Sequence, residues 1–237
     1  MTKTSRRGYD SQDHRWFSPS EVVRLQKASD EIEWLIDRGY RLEQVVKFVG
    51  DRYQFSTRQR EALKRATCTI QQKENRNAKE LSVEQLKGRV LHVDGFNLII
   101  LIEVACSGGM LILGRDGLIR DLAGLRGTYK IIDKTEMALT LIGEALTYCQ
   151  PKEVIFYLDE PVSNSKNLKV FMTEQAKEWN FSTQVHLVLN ADVILREQSY
   201  VISSDAVILD ECKSYFNLGK FIVDLMGIKP KLYKIAD

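Results

Sequence analysis

Four times in the stretch from residue 89 onward, a short apolar run ends at or near an aspartate just where a helix-like segment begins. Val90-Leu-His-Val-Asp94 turns at Gly95 and meets Asn97 ahead of Leu98-Ile-Ile-Leu-Ile102. Residues 154–158 run into Asp159, residues 185–189 into Asn190-Ala-Asp192, and residues 200–202 into Ser203-Ser-Asp205. Apolar strands alternating with helices imply a parallel sheet with right-handed crossovers. In such a sheet the carboxyl ends of the strands share one rim, where ligands gather. An aspartate at that place also caps the following helix, so one alone decides nothing. Four delivered to one rim form a constellation.

Ahead of this region the periodicity is helical. Residues 1–17 read as a flexible N-terminus. Residues 18–73 read as a three-helix domain. Its first stripe is Val22, Leu25, Ile32, Leu35 and Ile36, stopped by Gly39, and its second is Leu42, Val45, Val46 and Val49. The capping-box pattern from Ser56 to Gln59 opens a third helix with Ala62, Leu63 and Ala66. Residues 74–88 are polar and read as a linker with some helix. Residues 89–237 read as the α/β domain.

Net charge is +2, but basic residues are in excess over 1–80 and acidic ones over 81–237. A basic head on an acidic body suits nucleic-acid contact in one part and a carboxylate cluster in the other, and solvated charge explains it too. The third helix carries Arg58, Arg60, Lys64 and Arg65, either a grip on phosphates or an ordinary solvated face. The four cysteines show no C-x-x-C spacing, which argues against a zinc knuckle or redox pair. The start lacks the apolar core of a signal peptide, and no apolar run reaches the ~20 residues of a membrane helix. A soluble, cytoplasmic protein without membrane contact is the expectation, with a homodimer left open.

Carboxylates crowded together repel, and a divalent cation relieves the repulsion. Oxygen ligands favour Mg²⁺ or Mn²⁺ over zinc. Asp94, Asp159, Asp192 and Asp205 are the candidate ligands. A metal there would polarise a phosphoryl oxygen and activate water. The residues by themselves read as an acidic metal site at a sheet edge, which nucleases, phosphatases and receiver domains all fit.

The ordered set Val-Asp94-Gly-Phe-Asn97, Asn-Ala-Asp192 and Ser-Ser-Asp205 resembles the PIN-like nuclease superfamily, in particular its NYN-type branch. The resemblance covers about 89–237. The whole chain is also similar to an uncharacterised prokaryotic family that adds a small helical domain to such a half. The resemblance implies a three-layer α/β/α fold with a mainly parallel five-stranded sheet. It further implies metal binding by Asp94, Asp192 and Asp205, with Asn97 steadying the site or touching substrate, and hydrolysis of RNA. Glu103, Asp121 and Glu144 compete for the further acid that the superfamily often takes from a helix. A non-catalytic RNA- or nucleotide-binding module and a metal-dependent phosphatase are the alternatives.

Ser163, Ser165 and Ser204 are candidates for substrate contact, the first two as a phosphate cradle at a helix N-terminus or as a plain turn. His92 and His186 lie within strands and are expected to be satisfied core histidines. Asp210 and Glu211 are expected to favour the N-terminus of the last helix.

Overall fold

The computed structural model describes residues 6–124, 127–225 and 231–235. The chain opens with α1 (Asp13–Trp16), α2 (Pro19–Ile36), α3 (Leu42–Tyr53) and α4 (Thr57–Ala66). Ser56 and Gln59 form the reciprocal capping box at the start of α4. Leu25, Ile32 and Ile36 pack with Val45, Val46 and Val49 and with Ala62, Leu63 and Ala66, so the helical stripes meet in one core.

Two expectations about this half are corrected. The helical part expected in the 74–88 linker is present, but it belongs to a fourth long helix, α5 (Ile70–Asn77), which starts inside the expected three-helix domain with a second capping box from Thr69 and Gln72, and a 3-10 turn follows at Val83–Leu86. Arg76 of α5 is buried. The described part of the expected flexible N-terminus, residues 6–17, is docked: Phe17 is buried in the helical core, and Arg7 pairs with the buried Glu103. Residues 1–5 lie outside the described residues.

The second half runs β1 (Val90–Asp94), α6 (Gly95–Cys106), β2 (Met110–Leu113), β3 (Ile119–Asp121), α7 (Thr135–Cys149) and β4 (Glu153–Asp159). It continues with α8 (Ser165–Gln175), β5 (Ser182–Val188), α9 (Ala191–Leu195), β6 (Val201–Ile202), α10 (Ala206–Glu211), α11 (Leu218–Leu225) and β7 (Lys231–Lys234). The class is α/β, with a parallel sheet in the order β5-β4-β1-β6.

That sheet has four strands, not five. The hairpin β2–β3, turned through Gly114 and Gly117, leaves it and forms a second sheet in the order β3-β2-β7. Burial on both faces explains the departure. Leu111 and Ile119 pack into the main core, whereas Met110 and Ile112 enter the helical core, joined there by Ile235. The second sheet is the seam that unites the two halves.

On the main sheet, Leu91, Val93, Val154, Phe156, Leu158 and Val185 face one core, under α6, α7 and α8. α6 is apolar nearly all round and buried accordingly. The opposite face carries His92, Asp94, Tyr157, Asp159 and His186, the alternate residues of the same strands. Ala191 and Leu195 of α9 and Ile208 and Leu209 of α10 cover part of it, together with Val201 and Tyr215. His92 is half-buried against the Tyr157 hydroxyl at 3.0 Å, and burial lowers its pKa. His186 is exposed, contrary to expectation, because β5 is an edge strand. Among the described residues no helix is long and apolar enough to cross a membrane.

Candidate functional site

β1 delivers Asp94 to the sheet rim, where its side chain also caps α6. The turn that follows leaves room for glycine alone. A Cβ on Gly95 would stand 2.6 Å from Leu158 Cδ2 and 3.0 Å from the Tyr157 carbonyl oxygen. Asp94 accepts the Asn97 N–H at 3.4 Å on one oxygen and the Ser203 hydroxyl at 2.9 Å on the other. Ser203 Oγ accepts in turn from the Asp205 N–H at 3.0 Å, so one hydroxyl ties β1 to the loop after β6. Asn97 makes the parallel tie: its Oδ1 accepts from both the N–H and the hydroxyl of Ser204, each at 2.9 Å.

Asp94 is buried, and its pKa is pushed up to about 7. Burial is the main cause, and the negative charges of Asp192 and Asp205 add to it. Asp192, near the start of α9, is raised by burial and then by Asp205 and Asp159. Asp205 caps α10 through Val207 N–H at 2.8 Å and Ile208 N–H at 3.2 Å. Asp159 accepts the Ala191 N–H at 2.8 Å and so anchors the start of α9. The four acids therefore share one rim and are linked electrostatically, Asp159 through Asp192. None is in an ion pair among the described residues.

The arrangement is open. Among the described residues no three His, Cys, Asp or Glu side chains are gathered as a ready ligand set. A Mg²⁺ or Mn²⁺ ion at so open a rim would have to hold most of its waters and take one or two protein oxygens, as Mg²⁺ does in phosphate sites. They do not make the closed tetrahedral cage of a structural zinc.

A cleft of about 590 Å³ adjoins the rim, between α4–α5 and α6–α10. Asn97, Ser204 and Asp205 line one part of it and Lys64 and Arg65 another, with Arg120 bonded to the Ser204 and Arg65 carbonyls between them. Arg65 holds the Asp121 carbonyl and lies 3.7 Å from its carboxylate, and Lys64 reaches Glu43 at 2.8 Å. Arg58 and Arg60 do not reach the cleft. Arg58 is spent on Asp13 and on the carbonyls of Leu122 and Gly8, and Arg60 on Asp51 and the carbonyls of Phe55 and Lys47.

Other expected residues also fall elsewhere. The Ser165 hydroxyl is buried and donates to the Glu160 carbonyl at 3.0 Å, while Ser163 is exposed in a turn that bonds to Gly127; neither forms a phosphate cradle. Of the competing acids, Glu103 is buried among Arg7, Tyr129 and Thr135, Glu144 is exposed on α7, and Asp121 alone lines the cleft. Asp210 ends α10 instead of starting the last helix, and it pairs with Arg76 at 2.7 Å.

Sequence reasoning missed the network beneath the cleft. The Asp116 carboxylate receives Arg76 at 2.5 Å and two nitrogens of Arg120 at 2.9 and 2.6 Å. Arg120 also donates to the Ser204 carbonyl at 2.8 Å and the Arg65 carbonyl at 3.1 Å. Its members are scattered from residue 65 to 210, and nothing local marks them.

Comparison with known proteins follows the same division. A family model described as "Domain of unknown function (DUF5616)" matches residues 83–221, which include β1, β4, β5, β6 and all four acids. The chain belongs to that family. A second model, "Protein of unknown function (DUF434)", matches residues 24–79, from α2 to just past α5. The chain is similar to "Uncharacterized protein MJ0935" of Methanocaldococcus jannaschii, 31% identical over 203 residues, covering 86% of this chain and 95% of that protein. No solved structure matches it.

Proposed function

We propose that the protein is a Mg²⁺- or Mn²⁺-dependent ribonuclease whose acidic rim acts on a phosphodiester lying in the adjoining cleft. The observation that carries the reading is the crowding of Asp94, Asp192 and Asp205: burial and neighbouring negative charge raise Asp94 and Asp192, and none of the three is in an ion pair among the described residues, Arg196 easing Asp192 only at longer range. Asp94, Asp192 and Asp205 would hold the cation, one or two of them directly and the rest through its waters, and it would supply charge neutralisation at the phosphate and a more acidic attacking water. Ser203 and Asn97 keep Asp94 and the loop before Asp205 in register. Asn97 is thereby a positioning residue, with Ser204 as its partner. Lys64 and Arg65 face the rim across the cleft and suit the phosphates on either side of the bond attacked. RNA as the polymer rests on the PIN-like resemblance. The cytoplasmic assignment rests on four free cysteines, three of them buried.

The open ligand set favours one second reading, a module that binds RNA or nucleotide without turnover. Incubation of the full chain with mixed RNA, with Mn²⁺ and with Mn²⁺ plus EDTA, separates the two. Metal-dependent cleavage that disappears in Asp94→Asn and Asp205→Asn is the expected result. RNA binding without cleavage would support the second reading. Phosphate release from a small monoester, with RNA left intact, would move the assignment to a phosphatase.

A further inference from the structure

The sheet edges of this molecule are not treated alike. β6 has two residues, and its outer side is covered by the following chain, with Val201 bonded to Ser214 and Phe216. In the second sheet, β3 has three residues, and β7 carries Lys231 and Lys234. Short strands, covering chain and lysines are the ordinary protections of an edge against another chain. β5 has none of them. It is seven residues long, Ser-Thr-Gln-Val-His-Leu-Val, without proline, lysine or any carboxylate, and among the described residues no strand pairs its outer side.

Its register is self-complementary. Asp159 lies opposite Val188, and Glu160 N–H donates to the Val188 carbonyl at 2.7 Å, so Val188, His186 and Gln184 direct their backbone groups toward β4. Thr183, Val185 and Leu187 direct theirs outward. A twofold axis at Val185 would bond Val185 to its own copy and Thr183 to Leu187 of the second chain. The same axis sets Gln184 against His186 on the open face, two polar side chains that already bond to each other within the strand at 2.9 Å. Side chains on the helix-covered face meet side chains of that face, so both layers continue across the junction. No like charges oppose one another at any position. α8 packs chiefly on β5 and leaves Val170 70% exposed, and Leu189, just beyond the strand, is 81% exposed. These apolar side chains flank the edge.

We infer that β5 is a dimerisation edge, which pairs antiparallel with β5 of a second copy of this chain to make one sheet continuous across both subunits. The acidic rims then open toward opposite ends of the dimer, since paired antiparallel strands end in opposite directions. A closed twofold contact of this kind uses up the edge and stops at two chains.

Sedimentation of the full chain at micromolar concentration tests the inference. Two chains per particle are expected for the parent protein. Gln184→Lys with His186→Lys places lysine against lysine across the axis and should yield one chain per particle, with a melting temperature that no longer depends on protein concentration. Gln184→Lys with His186→Glu places lysine against glutamate across the axis, keeps a cation beside Glu153, and should restore the dimer. As a second measurement, Gln184→Cys with His186→Cys should give a disulfide-linked dimer on mild oxidation, since directly opposed strand residues lie within disulfide reach. A parent protein that sediments as one chain, or a dimer that the double lysine leaves intact, would overturn the inference.

Discussion

Replacing Asp94 by asparagine should stabilise the metal-free protein, and only above the acid range. An ordinary aspartate titrates near about 3.9, and Asp94 is pushed up to about 7, chiefly by burial and further by Asp192 and Asp205. A carboxyl whose folded pKa lies above its unfolded one binds its proton more tightly when folded. Below about pH 4 it is protonated in both states and costs nothing. As pH rises from about 4 to about 7 the unfolded state ionises first, and stability falls. Above about pH 7 the penalty is complete, on the order of 4 kcal/mol. Asparagine is neutral throughout and caps a helix as well as aspartate does. It offers one acceptor oxygen where the carboxylate offers two to Asn97 and Ser203, a loss of about 1 kcal/mol. The net gain at pH 8 is then about 1–3 kcal/mol, or a few °C per kcal/mol for a chain of this size. Melting temperatures in EDTA at pH 4.5 and pH 8 read it directly. A rise at pH 8 that vanishes near pH 4.5 is expected, and the stabilisation that millimolar Mn²⁺ gives the parent should shrink in the variant. Equal shifts at both pH values, or a loss at pH 8, would refute the account of Asp94 as a crowded, buried charge.

Other positions answer separate questions. Arg7→Ala should destabilise the protein by about 3–5 kcal/mol at pH 8 by leaving Glu103 buried without its cation, and Glu103→Gln in the same chain should recover much of that loss in urea unfolding. Gly95→Ala should cost about 1–3 kcal/mol by the same measurement, since its Cβ meets Leu158 and the Tyr157 carbonyl. Lys64→Ala and Arg65→Ala should each flatten the salt dependence of RNA binding, by about 0.7–0.9 in the log–log slope for every phosphate no longer neutralised, with folding kept. Arg58→Ala should do the reverse, lowering the melting temperature through loss of the Asp13 pair while leaving the salt slope unchanged.

What the chain alone determined is whatever depends on neighbours in sequence. The stripes of α2, α3 and α4 and the Ser56–Gln59 box are repeats of three to four residues, and they fold as that period requires. The apolar runs that end at Asp94 and Asp159 mark parallel strands, because strands covered on a helix-bearing face show it in composition. Gly95 follows from the same local logic.

Tertiary structure decided what depends on partners far along the chain. Four basic residues on one helix look alike in sequence, yet Arg58 is held by Asp13 and the Leu122 carbonyl and Arg60 by Asp51, away from the cleft, whereas Lys64 and Arg65 line it. The hairpin β2–β3 reads like any short strand pair. Only the simultaneous pull of two cores on its alternating faces takes it out of the main sheet. Arg76, in a segment too polar to suggest a core, is buried because Asp116 and Asp210 arrive from 40 and 134 residues away to neutralise it. A buried charge is stable only with its partner in place, and partners brought together by the fold leave no periodic trace in the chain.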